Sequence, residues 1–181
     1  MDRFIEPWEY FVVDNVMPVD VFTELQQELS CLDKPKAYER ARYYLNSDIA
    51  SDKLRKYLKT YIHPTLSELA VHSFPDLDLT NTLFYDECSI QSKHNKYPIH
   101  CDIAPKIVSS VFHVSDQGVG THLYDSNKKH HSTLPWTPNS CMFFVNAPRK
   151  FHSFSSDINY RITVSSSIRQ LPNRASSRRR T

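Results

Sequence analysis

The chain has 181 residues, a formal charge of +2, 40% hydrophobic residues and 12% aromatic residues. That length buries well over half of the unfolded surface without disulfide staples, and it suits a single domain over 1–172 followed by a basic tail over 173–181 that is expected to be disordered. Only two glycines are present, Gly118 and Gly120, so neither a dinucleotide fingerprint nor a glycine-rich phosphate loop can be written from this chain.

The charge is uneven. Arg174, Arg178, Arg179 and Arg180 fall in the last eight residues, and without them 18 basic residues face 20 acidic ones. The body is therefore not of the basic nucleic-acid-binding type, and contact with nucleic acid is left to the tail. Cys31, Cys88, Cys101 and Cys141 lack CxxC spacing, which argues against a zinc ribbon or a redox pair. No apolar run reaches the ~18–20 residues of a membrane span, and MDRFIEPWEY has no secretory apolar stretch. A cytoplasmic protein with reduced thiols is the expectation.

In chain order, EYFVVDN (9–15) predicts a short strand, aromatic and β-branched. Asp20 is placed to cap a helix reaching about Leu32, because Phe22, Leu25, Leu29 and Leu32 recur on one stripe. Residues 33–46 (DKPKAYERARYYLN) have no clean period and read as an irregular arm. Leu54, Leu58, Tyr61 and Ile62 mark a second helix over 51–62. A third starts at Pro64, tolerated in a first turn, and ends at Phe74-Pro75. From Asp78 the texture becomes alternating. Strands are expected over 80–87, 97–102, 106–115, 120–124, 140–145, 150–154 and 159–168. Helices first and a β block after them predict an α+β, mainly β fold: support helices over 18–74 packed on one face of a two-sheet jelly roll over 79–168.

Within that block stand His100-Cys101-Asp102, then His152, then Arg161. An HxD triplet alone is weak, since a chain with 9 histidines offers one by chance. Its placement says more. His100 and Asp102 are two apart on a strand, so both side chains share one face, while Cys101 turns away. Two imidazoles and a carboxylate can take one face of an octahedral Fe(II) and leave the rest open for substrate and O2. An arginine near the second histidine can grip a carboxylate with two parallel hydrogen bonds. His122, in GTHLY, is the competing third ligand. His113 is nearby in sequence, and His130 and His131 lie in a polar loop.

The set resembles the 2-oxoglutarate/Fe(II)-dependent dioxygenases, in particular the prolyl-hydroxylase-like branch with its short bacterial and viral forms. The likeness covers about 79–168, through YPIHCD, GTHLYD, PNSCMFFVNAPRKFHSF and NYRITVS. It implies a double-stranded β-helix core, Fe(II) held by His100, Asp102 and His152, and 2-oxoglutarate bound by Arg161 with Thr163 and Tyr85. It places Tyr97 near the iron. The implied activity is hydroxylation of a C–H bond in a peptide residue, prolyl included, or in a small metabolite, with succinate and CO2 as co-products. The alternative is a cupin-like jelly roll that binds a metal or ligand without turnover. Asp102 in the ligand set favours hydroxylation over halogenation. Many prolyl 4-hydroxylases carry lysine where Arg161 stands, and the alkylation-repair demethylases place a second arginine closer than Arg169. Residues 33–46 and 88–96 are where substrate contacts are expected.

Overall fold

The computed structural model describes residues 1–36, 39–45, 51–102, 104–158 and 160–171. Eleven strands among these residues form two antiparallel sheets. The larger sheet runs, in spatial order, β1 (Asp2–Phe4), β2 (Tyr10–Val13), β9 (Cys141–Val145), β6 (Lys106–His113), β11 (Tyr160–Gln170), β4 (Thr82–Ser92) and β3 (Arg40–Tyr44). The smaller runs β5 (Lys96–His100), β10 (His152–Ser155), β7 (His122–Tyr124) and β8 (His130–Thr133). This is the mainly β jelly roll that the alternating pattern predicts, with helices α1 (Val19–Ser30), α2 (Asp52–Tyr61) and α3 (His63–Ser73) backing it. No helix among the described residues is long and apolar enough to cross a membrane.

The two faces of the larger sheet differ in chemistry because its strands alternate. Ile162, Val164 and Ile168 of β11 bury against the helices, together with Cys88 and Ile90 of β4 and Val108 and Phe112 of β6. Leu25, Leu29, Leu58, Ile62 and Leu66 answer them from the helices. Truncating any of these leucines to alanine would cost about 2–5 kcal/mol, the range for buried leucines in well-packed cores. The alternate residues, Arg161, Thr163, Ser165, Ser167 and Arg169, face the space between the sheets. The register sets Arg161 opposite Gln91, Thr163 opposite Ser89 and Ser167 opposite Tyr85. Trp8, Tyr10, Leu123, Leu134, Met142 and Phe144 form a second, smaller apolar cluster, of which Phe144 lines that space.

The helices start and stop for local reasons. Ser51 caps α2, its side chain accepting from the Leu54 amide at 3.1 Å. Pro64 sits in the first turn of α3, and Phe74 ends it. Asp20, expected to cap α1, lies inside its first turn; Pro18 takes the cap position without a side-chain hydrogen bond. Asp20 still favours that end through its charge.

The described part of the arm over 33–46 is not all irregular. Arg40–Tyr44 forms the edge strand β3, paired with β4 from Arg40 opposite Gln91 to Tyr44 opposite Glu87. Ala41 and Tyr43 pack on the core, while Arg40, Arg42 and Tyr44 line the interior. The strand is amphipathic, but with arginines on its inward face, so a hydrophobic pattern does not reveal it. β4 likewise runs on to Ser92, past the expected end at 87, and β8 holds His130 and His131 in a strand. The arginine-rich tail lies outside the described residues.

Candidate metal centre

β5 and β10 are antiparallel neighbours, and their register puts His152 directly opposite His100. The two imidazole centroids are 4.3 Å apart. Asp102, two residues beyond His100, brings its Oδ1 to 3.9 Å from the His100 Nε2. One ligand atom from each of His100, Asp102 and His152 lies within 4.8 Å of the others.

Both imidazoles are held in the form a metal needs. His100 Nδ1 donates to the Pro98 carbonyl at 3.0 Å, and His152 Nδ1 donates to the Lys150 carbonyl at 3.1 Å. A carbonyl can only accept, so the proton is on Nδ1 and the Nε2 lone pair is left free in each ring. Burial pushes the His152 pKa down to about 4, with the neighbouring His100 adding to it. Burial also lowers His100. Both rings are therefore neutral near pH 7. Burial alone would raise Asp102, but the Lys106 ammonium, His152 and the hydrogen bonds from Lys106 and Ser109 outweigh it, and the carboxyl sits below its usual range. Lys106 Nζ donates to Oδ1 and Ser109 Oγ to Oδ2, each at 2.8 Å, and Asn146 Nδ2 donates to the Ser109 hydroxyl at 3.0 Å. Two neutral imidazoles and one anionic carboxylate, each oriented by an outer hydrogen bond, form a donor set suited to Fe(II).

The triad opens on a cavity of about 370 Å³ between the sheets. Arg161 lies in its wall, 1% exposed. Its Nε donates to the Val119 carbonyl at 2.8 Å and Nη1 to Gln91 Oε1 at 2.7 Å, while Nη2 has no partner, nor has Gln91 Nε2. The guanidinium lies 4.8 Å from the Phe154 ring centroid and 5.1 Å from that of Trp136. No carboxylate among the described residues comes within 4.0 Å of it. Burial, and then Arg40, push its pKa down to about 9, so the side chain is still a cation at neutral pH. A buried cation without an anion costs several kcal/mol, and the unpaired Nη2 is a ready donor to an anionic ligand. Thr163, two positions along and 2% exposed, lines the same wall.

Tyr97 stands beside His100, ring edge to ring at 4.7 Å, and stacks on Phe154 at 5.1 Å. Phe154 and Tyr97 thus bridge Arg161 to His100 with an aromatic wall. Tyr85 also lines the cavity, but the structure does not bring it to Arg161. It is opposite Ser167, six positions down β11, or about 20 Å along the strand at ~3.3 Å per residue. There its ring is covered by the Arg169 guanidinium at 3.3 Å, and burial and then Tyr44 push its hydroxyl up to about 12. His122 does not join the triad: Nδ1 meets Thr133 Oγ1 at 2.8 Å and Nε2 meets Ser155 Oγ at 2.9 Å. His113 is buried, stacked on Trp136 and bonded through Nδ1 to Ser140 Oγ. His130 and His131 are exposed.

Several wall residues went unread in the sequence. Arg40 pairs with Glu87 at 3.0 Å and Arg42 with the same oxygen at 3.5 Å, and both guanidiniums lie near the Tyr97 ring. Gln91 and Glu87 fall in the long half of β4. Their inward alternation opposite Arg161 and Ser165 was the one signal available, and it needs the strand pairing to be seen.

No family sequence model matches the chain, and no curated protein matches it in sequence. Solved structures match in fold. A prolyl-4-hydroxylase from Pseudomonas putida superposes with a TM-score of 0.67 at 13% identity, covering 89% of this chain and 92% of that one. A prolyl hydroxylase from Trichoplax adhaerens, in complex with a hypoxia inducible factor oxygen degradation domain peptide, gives 0.66 at 14% identity over 89% and 83%. The viral collagen prolyl hydroxylase from Paramecium Bursaria Chlorella virus-1, a 2-oxoglutarate complex, gives 0.64 at 12% identity over 90% and 96%. The fold of this chain is therefore the one shared by prolyl hydroxylases and other 2-oxoglutarate/Fe(II) oxygenases, as the resemblance of its HxD, His and Arg segments implies.

Proposed function

We propose that the protein is an Fe(II)/2-oxoglutarate-dependent oxygenase that hydroxylates a C–H bond of a peptide residue or small metabolite and releases succinate and CO2. The observation that carries this reading is the pairing of a His-Asp-His cluster with a buried Arg161 that has no carboxylate partner among the described residues, in one cavity. In the proposed roles, His100 and His152 offer Nε2 lone pairs and Asp102 its carboxylate to Fe(II). Bound there with 2-oxoglutarate, the iron supplies the oxidative decarboxylation that activates O2 for C–H oxidation.

The chain's own residues hold the parts in order. Arg161 takes the distal carboxylate of 2-oxoglutarate through its free Nη2, while Val119 and Gln91 keep the guanidinium from turning. Thr163 lends its hydroxyl to the same carboxylate. Phe154 and Tyr97 wall the cosubstrate and keep water from that side. Ser109 and Lys106 fix the plane of the Asp102 carboxylate. A prolyl substrate is compatible with this arrangement; the likeness to prolyl hydroxylases is one of fold.

Stoichiometric protein incubated in air with Fe(II) and 2-oxoglutarate should yield succinate over hours even without substrate, read by NMR. The His100→Ala protein should yield none. A folded, iron-loaded wild-type protein that leaves 2-oxoglutarate intact would overturn the proposal.

A further inference from the structure

The charges lining the cavity do not balance. Among the described residues, five cations face it (Arg40, Arg42, Lys106, Arg161 and Arg169) against two acids, Glu87 and Asp102. Both acids are already engaged: Glu87 by Arg40 and Arg42, Asp102 by Lys106. The two uncompensated guanidiniums lie at opposite ends of one strand. Arg161 and Arg169 are eight residues apart on β11, about 26 Å along the chain at ~3.3 Å per residue. Asp102 meets the sheet toward the Arg169 end, bonding Ser109, which pairs with Ser167, and Lys106, which pairs with Arg169, while His100 is linked toward Arg161 through Tyr97 and Phe154.

Arg169 is set up as a receptor. Its guanidinium carbon stands 3.3 Å over the Tyr85 ring centroid, and its Nε donates to Ser167 Oγ at 3.2 Å. These contacts fix the plane of the fork and leave its Nη donors without a protein acceptor among the described residues. Stacking of this kind favours bidentate recognition of a planar or tetrahedral anion. The end is also open: Tyr44, packed against Tyr85, is 46% exposed, and Leu83, opposite Arg169 in the ladder, is 38% exposed. The other guanidinium is sealed in the wall at 1%.

We infer that the substrate is an acid whose carboxylate or phosphate is held by Arg169 at the open end of the cavity, across the metal cluster from Arg161. As an assignment of substrate class this rests on the oxygenase reading; as an anion site it does not. A divalent metal ion and the 2-oxoglutarate dianion cancel, so loading the cavity leaves its positive excess in place for a second anion. The cavity, at about 370 Å³, is near the small end of ligand sites, which suits the cosubstrate and one residue-sized acidic group. The acid is gripped on the same side of Asp102 as Lys106, which pairs with Arg169 across the ladder, so the oxidised C–H bond lies close to the acid group.

The test is calorimetric titration of the full-length protein, loaded with Mn(II) and saturated with 2-oxoglutarate, using inorganic phosphate and malonate as probes. At least one should bind; the tighter probe distinguishes a phosphate from a carboxylate. Arg169→Gln should weaken that probe about tenfold or more, the loss of a charge-assisted pair, without moving 2-oxoglutarate affinity. Arg169→Lys, which keeps the charge but not the fork, should fall between. Arg161→Gln should weaken 2-oxoglutarate and leave the probe within about twofold. Failure of both probes to bind, or unchanged probe affinity in folded Arg169→Gln protein, overturns the inference. Probe binding that depends on Arg169 in a protein that ignores 2-oxoglutarate supports the anion site and sinks the oxygenase reading instead.

Discussion

Replacing Arg161 with methionine separates a ligand-binding arginine from a structural one. Methionine keeps most of the stem volume and removes the charge and the donors. Two hydrogen bonds are lost, to Val119 and Gln91, at about 0.5–1.5 kcal/mol each, or somewhat more for a charged donor. Against this, a buried cation with no carboxylate partner disappears, and its desolvation with it. The two effects are of similar size, so the unliganded variant should melt within a few degrees of wild type. The liganded proteins should differ far more. A ligand at a hundred times its Kd adds about 2.7 kcal/mol to folding stability, and about 1 kcal/mol moves the melting temperature of a domain this size by about 2–4 °C. With Mn(II) and saturating 2-oxoglutarate, the wild-type Tm should therefore rise by roughly 5–11 °C. At the same concentration the variant should show between about a tenth and a half of that rise, because losing a charge-assisted carboxylate pair weakens binding by about 1.5–3 kcal/mol. Differential scanning fluorimetry reads both quantities. An Arg161→Met protein that keeps the full 2-oxoglutarate shift would refute the assignment, as would one that loses 5 kcal/mol or so of stability before any ligand is added.

Other outcomes follow from neighbouring residues. Ser109→Ala should raise the Kd for Mn(II) by about 10–100-fold, the usual effect of removing a hydrogen bond that orients a ligand, with 2-oxoglutarate affinity at saturating metal unchanged; equal metal affinity would detach Ser109 from the site. Gly120→Ala should be destabilising by about 1–3 kcal/mol, because an added Cβ would meet the Leu134 carbonyl oxygen at 1.8 Å, and it should also weaken 2-oxoglutarate by shifting Val119, which anchors Arg161. His113 gives the pH dependence. Burial, then Arg161, hold its folded pKa at about 3, against about 6.5 in the unfolded chain. Below pH 6.5 the unfolded state therefore binds the extra proton and stability falls as pH falls, by about 2 kcal/mol from pH 7 to pH 5. Urea unfolding of His113→Gln at the two pH values should lack that increment; an unchanged acid limb would mean that the ring is protonated in the fold.

The jelly roll was legible because burial writes itself in period two. Ile162, Val164 and Ile168, at even positions of β11, are hydrocarbon and share the core with the helices, and the odd positions from Arg161 to Arg169 are polar. His100 was readable at a strand end for the same reason, but β5 stops at His100, short of the expected end at 102, so Asp102 is placed by its bonds to Lys106 and Ser109 and not by strand alternation. Their approach to His152 depends on β10 lying beside β5, which strand order alone decides. β3 was missed because its inward face carries Arg40 and Arg42, whose charges are offset by Glu87 on a different strand, so no local pattern marks them. Tyr85 illustrates the limit of motif spacing. It faces the cavity as alternation requires, yet the β4–β11 register sets it at the far end from Arg161.

The central claim is that His100, Asp102 and His152 hold one iron within reach of a 2-oxoglutarate anchored by Arg161. Its most direct test is the visible spectrum of the anaerobic protein with Fe(II) and 2-oxoglutarate. A weak charge-transfer band that needs both additions, vanishes in Asp102→Ala and demands more 2-oxoglutarate in Arg161→Met is the predicted result. A folded, iron-loaded protein with no such band at any 2-oxoglutarate concentration would contradict it.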